Sequence, residues 1–333
     1  MADTMQLDFL RSQLADRRDR LEAARTALAP VDSGKVSRLL QEVAAALARI
    51  EEGSYGLCQV CHEPVEAERL LADPLVTACL DHLDTAGKRA LEADLELALR
   101  IQKAMLPDPS LRSAHWETAW AYAPAGHVSG DYFDLVPATP GDGLFFATGD
   151  VAGKGVAAAL LMSNLQAIFR SLLPLGLPLP EILRRANRVF CENTIATHYA
   201  TMVCGRLDQA GGLEIVNAGH CPALVVTDAG VQQVRATGLP LGLFSETEYS
   251  VNEIRLTPGA TLALYTDGIT EARAASGEEY GVARLGRAVK QACQVSLEQL
   301  PQRIFSDLRG FTGGARQLDD QTLLLIRPRQ AAR

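Results

Sequence analysis

Eight short apolar runs of strand character lie between residues 116 and 327: Trp116–Ala123, Tyr132–Val136, Leu144–Thr148, Ala200–Leu207, Leu213–Asn217, Ala223–Val226, Thr261–Tyr265 and Thr322–Arg327. Most are neighbours in sequence and are joined by Gly- or Asp-rich turns. Such short connections pair strands antiparallel, because a parallel pair needs a crossover of about a dozen residues or more. Helical runs, at about 154–173, 180–194, 280–293 and 296–310, come in blocks rather than one per strand. The pattern predicts an α+β layered domain from about residue 108 to 329 and argues against an alternating βαβ fold.

The preceding residues read differently. Leu7, Leu10, Leu14, Leu21 and Leu28 fit one helical stripe, and Leu39, Leu40, Val43, Leu47 and Ile50 a second, with a break at Pro30–Gly34. A helical hairpin is expected, followed by a Cys- and Gly-punctuated segment, so residues 1–83 are expected to form a separate unit. Residues 84–107 are a linker whose helix ends at Pro107-Asp108-Pro109; its apolar spacing Leu91, Leu95, Ala98, Met105 is interrupted by Gln102. That helix reads equally as a plain connector and as a short coiled coil pairing two chains in a homodimer.

Composition narrows the function. At ~100–200 residues per domain, 333 residues allow two or three domains. Hydrophobic residues make up 47% of the chain and charged residues 22%, enough for a large core. The net charge of −8 makes a phosphate backbone a poor partner for the chain as a whole. The longest clean apolar run, Val156–Met162, is short of the ~20 residues of a membrane helix. Residues 1–13 lack the basic stretch and apolar core of a leader, so no membrane association and a cytoplasmic location are expected.

Of seven cysteines, Cys191, Cys204, Cys221 and Cys293 are scattered through apolar segments and read as small buried hydrophobes. The others cluster. Cys58-x-x-Cys61 and Cys79-x-x-His82 are separated by 17 residues. Each pair can hook one cation from a tight turn, and three thiolates with one imidazole close a tetrahedron around one structural Zn2+. His62 follows Cys61 directly and is disfavoured as a ligand by that adjacency.

A second set of residues is acidic. Asp131 lies in Ser129-Gly130-Asp131-Tyr132-Phe133-Asp134, Asp150 ends the run Leu144–Gly149, Asp267 ends Leu262–Thr266, and Asp319-Asp320 precede the last run. Each alone is an ordinary turn residue. Carboxylates at several converging strand ends would make a negative cavity that hard divalent cations neutralise, and oxygen-only ligation favours Mg2+ or Mn2+. Gly149–Gly155 opens a helix but is not a phosphate loop: three residues, not the four of the Walker pattern, separate Gly149 from Gly153, and Gly155 follows Lys154 where Ser or Thr is needed. Lys154 and Arg273 are each open to two readings, phosphate contact or solvated side chain. His220 is likewise read as a general acid or as a hydrogen-bonded structural histidine.

Two resemblances follow from these motifs. Arg49-Ile50-Glu51-Glu52-Gly53-Ser54-Tyr55-Gly56-Leu57-Cys58 with Cys61, Glu68-Arg69-Leu70, Pro74 and Cys79 resembles the DksA/TraR-type zinc finger, over about residues 36–83. Members of that family bind RNA polymerase through acidic residues at a coiled-coil tip. Here Leu21 follows the Asp16–Arg20 segment where the family has alanine, Pro30 interrupts the hairpin, and His82 replaces the more usual fourth cysteine. The zinc site is carried over and RNA polymerase binding is not.

The ordered motifs SGDYFD (129–134), GDVAGKG (149–155), NAGHCP (217–222), TGLPLG (237–242), YTDGITEA (265–272) and DDQTLLLIR (319–327) resemble the SpoIIE/RsbU-type serine phosphatases of the metal-dependent PP2C-like superfamily, over about residues 95–328. The resemblance implies a β-sandwich flanked by helices (αββα) with a dimetal site at one edge. It implies Asp131, Asp150, Asp267 and Asp319 as catalytic metal ligands, with Asp150 bridging, the main-chain carbonyl of Val151 as a further ligand, and Asp134 or Asp320 serving a weaker metal. It implies two Mn2+ or Mg2+ ions, a phosphorylated protein substrate, often a STAS-domain anti-anti-sigma factor, and a signal entering through helix 84–106.

Overall fold

The computed structural model describes residues 33–82, 85–108, 113–138, 143–153, 155–194, 198–291, 296–315 and 317–329, together with Leu111 and part of 7–22. The Pro30–Asp32 break, Lys154 and Cys293 lie outside the described residues. The chain divides into two compact units, Met1–Asp94 and Leu95–Arg333. The division falls within helix α3 (Thr85–Met105).

In the first unit, α1 (Ser33–Glu51) is rich in Ala, Leu, Arg and Glu, all strong helix formers, and carries an Arg38–Glu42 pair one turn apart. Gly53, left-handed at φ 71°, lets the Ser54 and Tyr55 N–H groups turn back onto the Arg49 carbonyl and end the helix. Val43 and Ala46 of α1 are buried with Leu14, and Leu47 and Ile50 pack beside them. A second small core joins Leu10 to Cys58, Val65, Leu70 and Cys79. Helix α2 (Ala67–Ala72) and a 3-10 turn (Leu80–His82) complete the segment.

The second unit is two five-stranded antiparallel sheets. Its strands are β1 (Trp116–Ala123), β2 (Asp131–Ala138), β3 (Gly143–Val151), β4 (Ala200–Leu207), β5 (Gly212–Ala218), β6 (Ala223–Thr227), β7 (Gly230–Val234), β8 (Asn252–Arg255), β9 (Thr261–Tyr265) and β10 (Gln321–Pro328). One sheet has the order β1-β10-β9-β6-β7 and the other β2-β3-β4-β5-β8. Helices α4 (Val156–Leu172) and α5 (Leu179–Asn193) cover the second sheet; α6 (Asp267–Thr270), α7 (Gly281–Gln291) and α8 (Leu300–Thr312) belong to the side of the first.

Period-two alternation sorts the side chains into three layers. Leu144 and Phe146 of β3 and Leu262 and Leu264 of β9 enter the core between the sheets. Their neighbours Phe145 and Ala147 face α4 and α5, and Ala263 and Tyr265 face α7 and α8. Both faces of the central strands are buried, so these strands read as continuous apolar runs instead of alternating ones. The expected αββα sandwich is the observed one. By length and composition Val156–Leu175 is apolar enough to cross a membrane. Its stripe of Ala158, Met162, Leu165 and Phe169 is instead buried against the second sheet.

Candidate active site

Asp131 opens β2, and its Cα partner across the antiparallel ladder is Asp150, next to last in β3. Gly130 lies beneath them. A Cβ there would stand 3.2 Å from the Val151 carbonyl oxygen and 3.4 Å from Asp150 Oδ1, so only glycine leaves that space open. Asp267 begins α6 after β9. A Cβ on Gly268 would collide with the Asp320 carbonyl, so glycine is what lets this turn press against Asp319-Asp320.

Asp131 joins these segments. It is buried, and its Oδ2 accepts hydrogen bonds from Thr322 Oγ1 (2.5 Å) and Thr266 Oγ1 (2.8 Å), side chains of the opposite sheet's chain segments. Burial raises the Asp131 carboxyl well above the usual range; the two threonine hydroxyls oppose the shift, and Asp150 and Asp320 reinforce it. The same field reaches other side chains. Burial raises Glu271, with Asp267, Glu279 and Asp319 adding to it. Burial pushes the Cys221 thiol up to about 12, with Asp267, Glu271 and Asp150 adding to it. Asp131, Asp150, Asp267 and Asp319 thus share one electrostatic neighbourhood at one end of the sandwich. Asp150, Asp267 and Asp319 are half-buried.

The donor set fits hard cations. Every charged group that shifts Asp131 is another carboxylate, so the buried negative charge calls for a cation or a proton. Carboxylates and a main-chain carbonyl offer oxygen only, which suits Mg2+ or Mn2+. The ligand atoms do not close around one point: among the described residues, the only set of three or more His, Cys, Asp or Glu ligand atoms all within 4.8 Å of one another is the cysteine cluster.

Two acidic residues have other work. Asp134 is three residues from Asp131, so it points to the other face of β2. It is fully buried there, and both its oxygens accept from Arg170 of α4 at 2.7 Å. The weaker metal that the sequence reading offered it has no donor left. Asp320 accepts from the N–H groups of Ala125 (2.7 Å) and Gly130 (3.0 Å), which makes it a brace for the 125–130 loop.

His220 is a strut. It is buried; its Nε2–H donates to the Tyr265 carbonyl (3.0 Å) and its Nδ1 bonds Thr201 Oγ1 (2.8 Å), tying β9 of one sheet to β4 of the other. Burial depresses its pKa to about 4, so it is neutral at pH 7 and has no nitrogen to offer a substrate.

Sequence reasoning passed over three residues: Thr266, Thr322 and Gln102. Both threonines sit beside acidic motif residues and were read only as strand residues. Gln102 was visible as the polar interruption of an apolar helical stripe. It is 4% exposed; its Nε2 donates to the Ser129 carbonyl (2.7 Å) and its Oε1 accepts from the Ser129 N–H (3.0 Å) and the Tyr122 hydroxyl (3.3 Å). Ser129 Oγ in turn accepts from the Asp131 N–H (3.0 Å). Gln166 of α4 donates to the Met105 carbonyl (2.7 Å), so the end of α3 is held by two helix-to-domain contacts. A cavity of about 320 Å3 is lined among others by Leu95, His127, Val156, Asp319 and Asp320.

The cysteine cluster is tighter. The ligand atoms of Cys58, Cys61, Cys79 and His82 lie within 4.8 Å of one another. Cys61 and Cys79 Sγ are 3.8 Å apart, which matches the ~3.8 Å edge of a tetrahedron built on zinc–sulfur bonds of about 2.3 Å. Cys79 Sγ and His82 Nδ1 are 3.2 Å apart. Backbone N–H groups of Cys61 and Cys79 draw the Cys58 thiol down to about 6, which favours the thiolate a metal needs.

Comparison with known proteins finds matches in both parts of the chain. Residues 140–329, more than half the chain, match the family of Stage II sporulation protein E (SpoIIE). Residues 53–81 match the prokaryotic dksA/traR C4-type zinc finger, a span that stops one residue before His82. Phosphoserine phosphatase RsbP of Bacillus subtilis is 27% identical over 70% of this chain and 57% of its own length. Phosphoserine phosphatase RsbU of the same organism is 28% identical over 57% of each. The SiaA-PP2C domain of Pseudomonas aeruginosa shares the fold, with a TM-score of 0.64 at 22% identity, over 73% of this chain and 98% of that domain. The chain spans about half the length of the curated relatives it matches. It belongs to the SpoIIE family and carries a dksA/traR-type finger ahead of the family domain.

Proposed function

We propose that the chain is a metal-dependent protein serine/threonine phosphatase. One observation carries this reading: Asp131 and Asp150 are paired across β2 and β3, and Gly130 leaves open the space beside Asp150 Oδ1 and the Val151 carbonyl oxygen. Asp131, Asp150, Asp267, Asp319 and the Val151 carbonyl would hold two Mn2+ or Mg2+ ions. When bound, such a pair supplies an activated water and charge neutralisation for a phosphate monoester. The chain's own residues do the positioning. Thr266 and Thr322 fix the Asp131 carboxylate, Asp320 fixes the Gly130 peptide, and Gln102 fixes the Ser129 peptide. No side-chain nucleophile is needed: burial raises the thiols of Cys204 and Cys221, which keeps them protonated.

Two relatives named phosphoserine phosphatases support phosphoserine on a protein as the substrate. A STAS-type regulator is the finer proposal, carried by the family resemblance. Cys58, Cys61, Cys79 and His82 would hold one structural Zn2+ in a regulatory unit, and α3 would carry its signal to Ser129. Pairing of two chains through α3 belongs to the same proposal.

Phosphate release from a phosphoserine protein and from an aryl phosphate tests the reading. Wild type should require Mn2+ or Mg2+, and Asp267→Asn should lose at least about a hundredfold in rate. Full activity with a chelator present, or in Asp267→Asn, would overturn it.

A further inference from the structure

The face formed by α7 and α8 has the opposite charge to the chain as a whole. Residues 281–312 hold five basic side chains, Arg284, Arg287, Lys290, Arg303 and Arg309, against Glu298 and Asp307, on a chain of net charge −8. Three of the five line one cleft. A cavity of about 640 Å3 is bounded by Arg284, Arg303, Ser306, Asp307, Gly310 and Phe311. A second, of about 390 Å3, shares Arg284, Arg303 and Asp307 and adds Arg287 and Gln291. The two cavities adjoin, with Arg284, Arg303 and Asp307 in the wall of each, and together they are the α7–α8 cleft. None of its residues belongs to the carboxylate cluster or the zinc finger.

Arg284 is held in place before any ligand arrives. Its guanidinium carbon sits 4.1 Å from the centroid of the Phe311 ring and 5.6 Å from that of Tyr280. Its Nη2 pairs with Glu278 (3.1 Å), while its Nη1 is buried without a hydrogen-bond partner. Arg287 and Arg303 are exposed, and neither enters an ion pair among the described residues. Asp307 is the one carboxylate lining the cleft, and its Oδ2 accepts from the Tyr280 hydroxyl (2.6 Å). Three planar guanidinium forks against one engaged carboxylate suit phosphate oxygens, and two adjoining cavities with Arg284 and Arg303 in both walls suit more than one phosphate group.

We infer that the α7–α8 cleft binds a polyphosphate group through Arg284, Arg287 and Arg303. The group can come from a nucleoside triphosphate or from inorganic polyphosphate. Titration calorimetry on the full chain, with tripolyphosphate and with ATP, tests this without reference to phosphatase activity. Wild type should show saturable one-site binding. Arg287→Glu with Arg303→Glu should weaken it by about tenfold or more, since each charge-assisted pair to phosphate is among the stronger polar contacts. Arg188→Glu, an exposed arginine of α5, should leave it unchanged. Glu278→Gln frees Arg284 from its internal partner and should tighten binding about two- to threefold, a gain that damaged folding cannot produce. Tighter binding of ATP would identify the nucleotide as the source, and equal binding the bare polyphosphate. No saturable binding, an unchanged affinity in the double variant, or equal weakening by Arg188→Glu would overturn the inference.

Discussion

Single side chains hold the carboxylate site in shape. Gln102 matches both backbone groups of Ser129, two residues before Asp131. Gln102→Leu keeps the volume and strands a buried N–H and C=O. The stability cost should be about 1–3 kcal/mol, read by urea denaturation. The rate should fall by about tenfold or more, because small displacements of a metal ligand are expensive. Wild-type kcat in this variant would show that Gln102 only packs. Asp134 poses the converse case. Arg170→Ala leaves a fully buried carboxylate without its partner. The expected loss is about 2–3 kcal/mol, below the about 3–5 kcal/mol of a fully enclosed pair because Arg170 is 47% exposed. Asp134→Asn should cost less, and metal affinity should be unaffected, since Asp134 lies on the face of β2 away from the site.

At the scale of elements, His220 couples the two sheets and makes their stability depend on pH. Its folded pKa of about 4 lies below the ~6.5 of a free histidine, so between those values the unfolded chain binds the extra proton. The His220 contribution is complete above pH ~6.5, declines as the pH falls, and is spent near pH 4; the full swing is about 3 kcal/mol. Denaturation midpoints of His220→Gln should show a flatter dependence over that window than wild type. The zinc finger is an element of another kind. Cys58 and Cys79 are both proposed metal donors and members of the small core with Leu10, Val65 and Leu70. Chelation should therefore expose residues 53–82 to protease, and metal analysis should give one zinc per chain, reduced in Cys79→Ser.

For the molecule as a whole, the contacts of Gln102 predict where the proposed catalytic unit begins. A fragment from residue 95 keeps Gln102 and the Met105 carbonyl, both of which contact the sandwich; a fragment from residue 108 lacks them. Phosphatase assays should find 95–333 more active than 108–333. Equal rates would mean that α3 does not set the site's geometry.

Much of this was legible in the sequence because it is local. Short apolar runs joined by Gly and Asp turns declared antiparallel sheets, and the Cys-x-x-Cys and Cys-x-x-His pairs declared one cluster, since a turn of two residues fixes where its ends point. The aspartates were legible as a set through their strand-end motifs. What a lone residue does across sheets was not legible. Asp131 and Asp134 look alike in SGDYFD, and only the strand's period and the Arg170 partner separate a candidate ligand from a buried ion pair. His220 became a strut because β4 and β9 meet around it. Gln102 and Ser129 are 27 residues apart and come together by packing. Chain-local geometry set the elements and the donor types, while the tertiary structure assigned each donor its partner, because a polar atom's role is fixed by what burial places within hydrogen-bond reach of it.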